Sequence, residues 1–217
     1  MIYHRPKIAY LHNPRTGGTS VDHALIKKYP DVIQMFAHAW KSNVNGEVAS
    51  PVSVKIRSAH TDRLPGKVLE YQKKHASYDE LYPLYPDYKF YSTVRHPLKR
   101  VESWYRFFSW SETDGVPWTP YGFNEWIYNL YHNDETMIVQ DVVDSSNFHH
   151  TQSSFIGDAE WFKLEEGTIW DALGIEEKHH YAIPDAELGE EWTAESLEMM
   201  IDYYEEDFER FGYNKGL

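Results

Sequence analysis

Apolar positions along the chain fall into short runs that alternate with helical stripes. The run KIAYLH over 7–12 reads as a buried strand. Residues 19–29 put Val21, Ala24 and Leu25 on one helical face, and Pro30 ends that helix. DVIQMF over 31–36 predicts a second strand. VSVKIRSAH over 52–60 predicts a third, in which Val52, Val54 and Ile56 alternate with Ser53, Lys55 and Arg57. A polar, Tyr-rich and partly helical stretch leads to a fourth strand, YKFYSTVR, over 88–95. Pro97 suits the first turn of a helix whose stripe is Val101, Trp104, Tyr105 and Phe108. Residues 110–121, with Gly115, Pro117 and Pro120, read as a loop, and 123–131 (FNEWIYNLY) as a helix. A strand over 160–165 and a short helix over 167–174, ended by Gly174, follow. In the last helix Thr193 is the N-cap, Leu197, Ile201, Tyr204, Phe208 and Phe211 form the stripe, and Gly212 is the stop. Strands alternating with helices predict an α/β fold over 1–217, one domain with a central, mainly parallel sheet flanked by helices.

The 217 residues are 41% hydrophobic and 16% aromatic, enough for a substantial core. The dense aromatics between Tyr78 and Tyr131 are read mostly as part of it. No run approaches the ~20 apolar residues of a membrane span. The opening residues lack an apolar signal core, so a soluble, cytoplasmic protein is expected. The absence of cysteine excludes disulfides, thiolate metal sites and cysteine nucleophiles. A net charge of −13 argues against non-specific nucleic-acid binding. That charge is uneven: residues 1–133 hold 17 Lys and Arg against 12 Asp and Glu, whereas 134–217 hold 4 against 22. An anionic ligand is therefore expected on the first part, and the acidic part reads as solvated helix surface.

The first strand runs into NPRTGGTS, over 13–20. In open α/β sheets, ligands bind beyond the carboxyl ends of strands. Gly17 and Gly18 let the backbone turn and approach an anion, and the N–H groups opening the next helix favour negative charge. Arg15 adds a planar cationic fork, and Thr19 and Ser20 add hydroxyls. Taken alone, the stretch equally suits an ordinary strand–turn–helix connection. It lacks the Gly-Lys pair of the nucleotide-triphosphate loop. The fourth strand ends in STVRHPLKRVESWY, over 92–105. Arg95 stands at its carboxyl end, where a second anionic group can be held, and Arg100 and Ser103 share a helix face distinct from the apolar stripe.

The two motifs together, in this order and about eighty residues apart, resemble the sulfotransferases that use 3′-phosphoadenosine 5′-phosphosulfate (PAPS). The likeness is closest to the carbohydrate-modifying branch, such as the heparan sulfate 2-O- and 6-O-enzymes. YYEEDFERFGY over 203–213 also looks like the family's last helix. The resemblance implies a P-loop-like three-layer fold. It implies that Arg15, Thr16, Gly17, Gly18, Thr19 and Ser20 hold the 5′-phosphosulfate, and that Arg95 and Ser103 hold the 3′-phosphate. The family has Lys where this chain has Arg15, and Asp where it has His96.

Sulfuryl transfer to a hydroxyl needs a proton acceptor. His60, after the third strand, matches the placement of the family's catalytic histidine, and Arg15 would stabilise the leaving phosphate oxygen. No metal is expected: the His pairs at 149–150 and 179–180 are badly spaced for ligation, and a sulfuryl group carries less charge than a γ-phosphoryl. The expected partners are PAPS, its product 3′,5′-adenosine bisphosphate, and an acceptor hydroxyl of a carbohydrate or small molecule. A kinase with an altered phosphate loop and a non-catalytic nucleotide-binding module stand as alternatives.

Overall fold

The computed structural model describes residues 2–3, 6–29, 32–37, 52–57, 75–110, 112–113, 116–117, 119–132, 150–177 and 189–216. Its strands are β1 (Ile2–Tyr3), β2 (Ile8–Leu11), β3 (Val32–Ala37), β4 (Val52–Arg57), β5 (Lys89–Val94), β6 (Glu112–Thr113), β7 (Val116–Pro117) and β8 (Glu160–Lys163). Its helices are α1 (Gly18–Lys28), α2 (Tyr78–Leu81), α3 (Pro97–Trp110), α4 (Phe123–Tyr131), α5 (Gln152–Ile156), α6 (Ile169–Leu173), α7 (Ala194–Tyr203) and α8 (Glu205–Phe211). A 3₁₀ turn, Leu164–Glu166, follows β8.

The fold is α/β, built on a six-stranded sheet in the order β4-β3-β1-β2-β5-β8. Strand β2 pairs parallel with β5, and β5 parallel with β8. Strand β1 is antiparallel to both β2 and β3, so β2, β3, β5 and β8 all run one way, while β1 and β4 run against them. The predicted strands are found; the third is described over Val52–Arg57, and 58–60 lie outside the described residues. The two-residue β1 is too short to show a period, so the sequence pattern does not reveal it. The expected loop over 110–121 contains the β6–β7 hairpin. The Asp114-Gly115 pair between those strands is the sequence signal that announces it.

Alternation along the strands sorts their side chains into two faces. Ile2, Ala9, Leu11, Phe90 and Val94 pack with Leu81, Phe155, Ile156 and Phe211 on one side. Tyr3 and Tyr10 pack with Val21, Leu25, Ile169, Trp170 and Leu173 on the other. These are the outer layers of a three-layer arrangement. A further core joins α3, α4, α7 and α8 through Leu98, Val101, Trp104, Phe108, Phe123, Trp126, Met200 and Phe208. The dense aromatics are thus mostly core.

The last helix is divided at Tyr204, whose backbone leaves helical geometry (φ −108°, ψ 23°). Its ring is buried, with the Arg100 guanidinium 5.9 Å from the ring centroid. The exposed faces of α7 and α8 carry Glu195, Glu198, Glu205, Glu206 and Glu209 in solvent. No described helix is long and apolar enough to cross a membrane.

One acidic residue in this region is fully buried. Asp207 accepts the backbone N–H of Gln152 (2.9 Å) and of Ser153 (2.7 Å), satisfying the start of α5 from α8. Asp207→Ala leaves two buried N–H groups unpaired. It is expected to lose about 2–4 kcal/mol of stability, read as a shifted midpoint in urea denaturation.

Candidate functional site

Strands β2 and β5 are parallel neighbours, so their carboxyl ends open side by side. Thr93 ties the two ends together. Its Oγ1 meets the Tyr10 hydroxyl at 2.7 Å and the Thr16 hydroxyl at 3.0 Å, and its carbonyl accepts from Asn13 Nδ2 at 3.0 Å. Thr16 also donates to the Asn13 carbonyl at 2.8 Å and is fully buried. Its hydroxyl is therefore spent inside the loop, and an anion can meet only its backbone. Gly17 is left-handed (φ 78°) and caps α1, its carbonyl accepting from Ser20 N at 3.0 Å.

The glycines have a second use that the sequence does not reveal. A Cβ on Gly17 would stand 2.6 Å from Leu164 Cδ1, and one on Gly18 would stand 2.8 Å from His12 Cδ2. Both residues are small because protein packs against them there, as well as for the turn.

The motifs meet directly. Arg15 Nε and Nη2 both donate to Ser103 Oγ, at 3.1 and 3.0 Å. That double acceptance fills the hydroxyl's lone pairs and leaves its own O–H to donate elsewhere. The Arg15 guanidinium lies 4.8 Å from the Phe107 ring centroid and 5.9 Å from that of Trp104. Arg15 holds a left-handed backbone (φ 64°), unusual without glycine. Arg100, fully buried on α3, donates through Nε to the Pro14 carbonyl at 3.1 Å and through Nη1 to the His150 carbonyl at 3.3 Å. The predicted common face of Arg100 and Ser103 is thus the face that holds the first loop.

Arg95 is positioned through its backbone. Gln152 Oε1 accepts from Arg95 N at 2.9 Å, and Gln152 Nε2 donates to Arg95 O at 2.8 Å. The Arg95 guanidinium makes no hydrogen bond to the described residues. Loss of solvent, and then the charge of Arg95, hold the Arg15 pKa down to about 10. Arg95 is likewise lowered, first by loss of solvent. Neither guanidinium is ion-paired with a carboxylate among the described residues. Ser103, which the resemblance assigns with Arg95, accepts from Arg15.

His60, the sequence-based candidate for proton transfer, lies outside the described residues. The structure brings forward another histidine that sequence reasoning does not single out. His75 Nδ1–H donates to the His12 carbonyl at 2.8 Å, which in the neutral ring places the basic lone pair on Nε2. Its ring stands edge-on to that of His12, centroids 4.9 Å apart, and His12 Nδ1 is paired with buried Asp22. The signal is present in HASYDE: Ser77 and Glu80 form a capping box that opens α2 and fixes the residues just before it. Among the described residues, no group of three or more acidic or imidazole side chains is placed to hold a metal ion.

No family model matches the sequence, and no curated protein does. A solved structure does match, a sulfotransferase from Alicyclobacillus acidocaldarius. It is 14% identical, with a TM-score of 0.45 over 98% of this chain and 97% of that one.

Gly18→Ala drives a methyl group into the buried His12 ring. It is expected to cost about 1–3 kcal/mol in denaturant titration, with weaker anion binding as α1 shifts. A neutral result would mean that His12 moves freely.

Proposed function

We propose that this protein is a sulfotransferase that moves a sulfuryl group from PAPS to an acceptor hydroxyl, with a carbohydrate or small molecule as acceptor. The observation that carries the reading is the pair of guanidiniums at the ends of β2 and β5. Arg15 and Arg95 are half-buried, the charge of Arg95 bears on Arg15, and neither is ion-paired directly with a carboxylate among the described residues. A ligand with two separated anionic groups relieves both costs at once. The motif resemblance supplies the identity of that ligand.

In this reading, the backbone from Thr16 to Ser20, with the hydroxyls of Thr19 and Ser20, receives the 5′-phosphosulfate at the start of α1. Arg95 receives the 3′-phosphate, with the O–H of Ser103 that its two Arg15 bonds leave able to donate. Arg15 sits between the two groups and stabilises the negative charge that grows on the leaving phosphate oxygen. The acceptor oxygen attacks sulfur as the sulfur–oxygen bond to phosphate breaks. The acceptor's proton passes to a histidine, and 3′,5′-adenosine bisphosphate departs with the bonding electrons. His60 takes the proton in the sequence-based assignment, and His75, whose Nδ1–H donates to the His12 carbonyl just before the first loop, is a second candidate.

Calorimetry with 3′,5′-adenosine bisphosphate, 5′-AMP and ATP, each with and without Mg²⁺, tests the donor site. The bisphosphate is expected to bind best, without need of Mg²⁺. Arg95→Ala is expected to weaken it by about tenfold or more while sparing 5′-AMP. A preference for Mg·ATP overturns the reading in favour of a kinase.

Single-turnover transfer by His60→Ala and His75→Ala identifies the proton acceptor. The true one loses about 10²–10⁴-fold in rate and keeps its affinity for the bisphosphate.

A further inference from the structure

The segment leaving β8 touches both motifs. Leu164 fills the space beside Gly17. The next residue, Glu165, faces the second motif: its Oε1 accepts from His96 N at 2.9 Å and its Oε2 from the Tyr213 hydroxyl at 2.8 Å. The clamp is itself braced. His96 Nε2–H donates to the Asn214 carbonyl at 3.1 Å, the His96 ring stands edge-on to Phe208 and Tyr213, and Lys163 Nζ lies 4.7 Å from the Tyr213 ring centroid.

Each carboxylate oxygen of Glu165 is thus held by a donor that is not Arg95. Through His96 N, Glu165 is bonded to the residue that follows Arg95, and its charge favours the protonated Arg95 guanidinium. A carboxylate bound fork-to-fork would occupy the directions in which Arg95 grips a phosphate. A carboxylate clamped alongside supplies the charge and leaves those directions open.

We propose that Glu165 is the resident counter-charge of the Arg95 subsite. Pinned by His96 and Tyr213, it steadies the guanidinium while the site is empty and opposes the anion that fills it. The inference rests on the reading that Arg95 takes the 3′-phosphate. Its consequence is that the bisphosphate product is held more loosely than the arginines alone would hold it, which speeds release.

Glu165→Gln keeps the shape and an acceptor but removes the charge. The empty variant is expected to melt at a lower temperature than the wild type. It is also expected to bind 3′,5′-adenosine bisphosphate about three- to tenfold more tightly at low salt, with the gain shrinking as salt rises because Glu165 is exposed. Binding of 5′-AMP should change by less than about twofold, since it lacks the group that meets Arg95. Tyr213→Phe frees one carboxylate oxygen to swing onto Arg95, and should weaken bisphosphate binding while sparing 5′-AMP.

Unchanged or weaker bisphosphate binding in Glu165→Gln overturns the proposal, as does an equal gain for both nucleotides, which marks a diffuse field effect. If that variant does not fold, unaltered bisphosphate affinity in Tyr213→Phe overturns it. A wild-type protein that binds neither nucleotide overturns the donor-site reading, and this proposal with it. When the wild type binds as expected, a failure in the variants counts against Glu165 alone and leaves the donor site standing.

Discussion

Two like charges, on Arg15 and Arg95, are half-buried beyond the ends of adjacent parallel strands. Much of the surrounding structure answers to that constraint. A desolvated guanidinium stays in place only if its neighbours leave it nowhere cheaper to go. Arg15 is held by Ser103 and by the faces of Phe107 and Trp104. Arg95 is held by its backbone, through Gln152, and its charged end makes no hydrogen bond to the described residues. Gln152 is fixed in turn by Asp207, and Arg210 donates to the Ser153 carbonyl at 2.8 Å. The proposed anion site is therefore braced by elements that contribute no proposed ligand to it.

The charge imbalance along the chain takes a different meaning once the fold is known. Most acidic residues of α7 and α8 face solvent, where exposed carboxylates interact weakly and are screened. Some acidic positions in the second part of the chain are put to structural use. Asp207 substitutes for a helix cap, and Glu165 secures Tyr213. The same kind of side chain thus serves as solvated surface, buried cap and clamped charge, according to what donates to it.

The layered architecture was legible because burial imposes short periods on the sequence. Ala9, Leu11, Phe90 and Val94 fall on one sheet face by alternation alone, and Val101, Trp104 and Phe108 fall on one helix face. Both loops of the site were also legible, because glycines and arginines after a strand are locally conspicuous. The pairing of Arg15 with Ser103 was not, because nothing local joins residues 88 positions apart. His75 is less conspicuous than a histidine nearer a strand end, although a capping box two residues later anchors its surroundings. The division of the last helix at Tyr204 lies inside an unbroken apolar stripe, so periodicity alone could not announce it.

Asp207 gives the site a place in time as well as in space. The chain emerges from synthesis N-terminus first, and domains acquire structure in that order where their contacts allow it. Here the residues proposed to hold the nucleotide lie between Arg15 and Ser103, but the carboxylate that orders Gln152, and through it Arg95, arrives only at position 207. A nascent chain that already carries every proposed ligand lacks the brace that arranges the second half of them. The proposed ligands are thereby left unarranged until position 207 has been added, and a chain cut short of it would retain the motifs without the brace that orders Arg95.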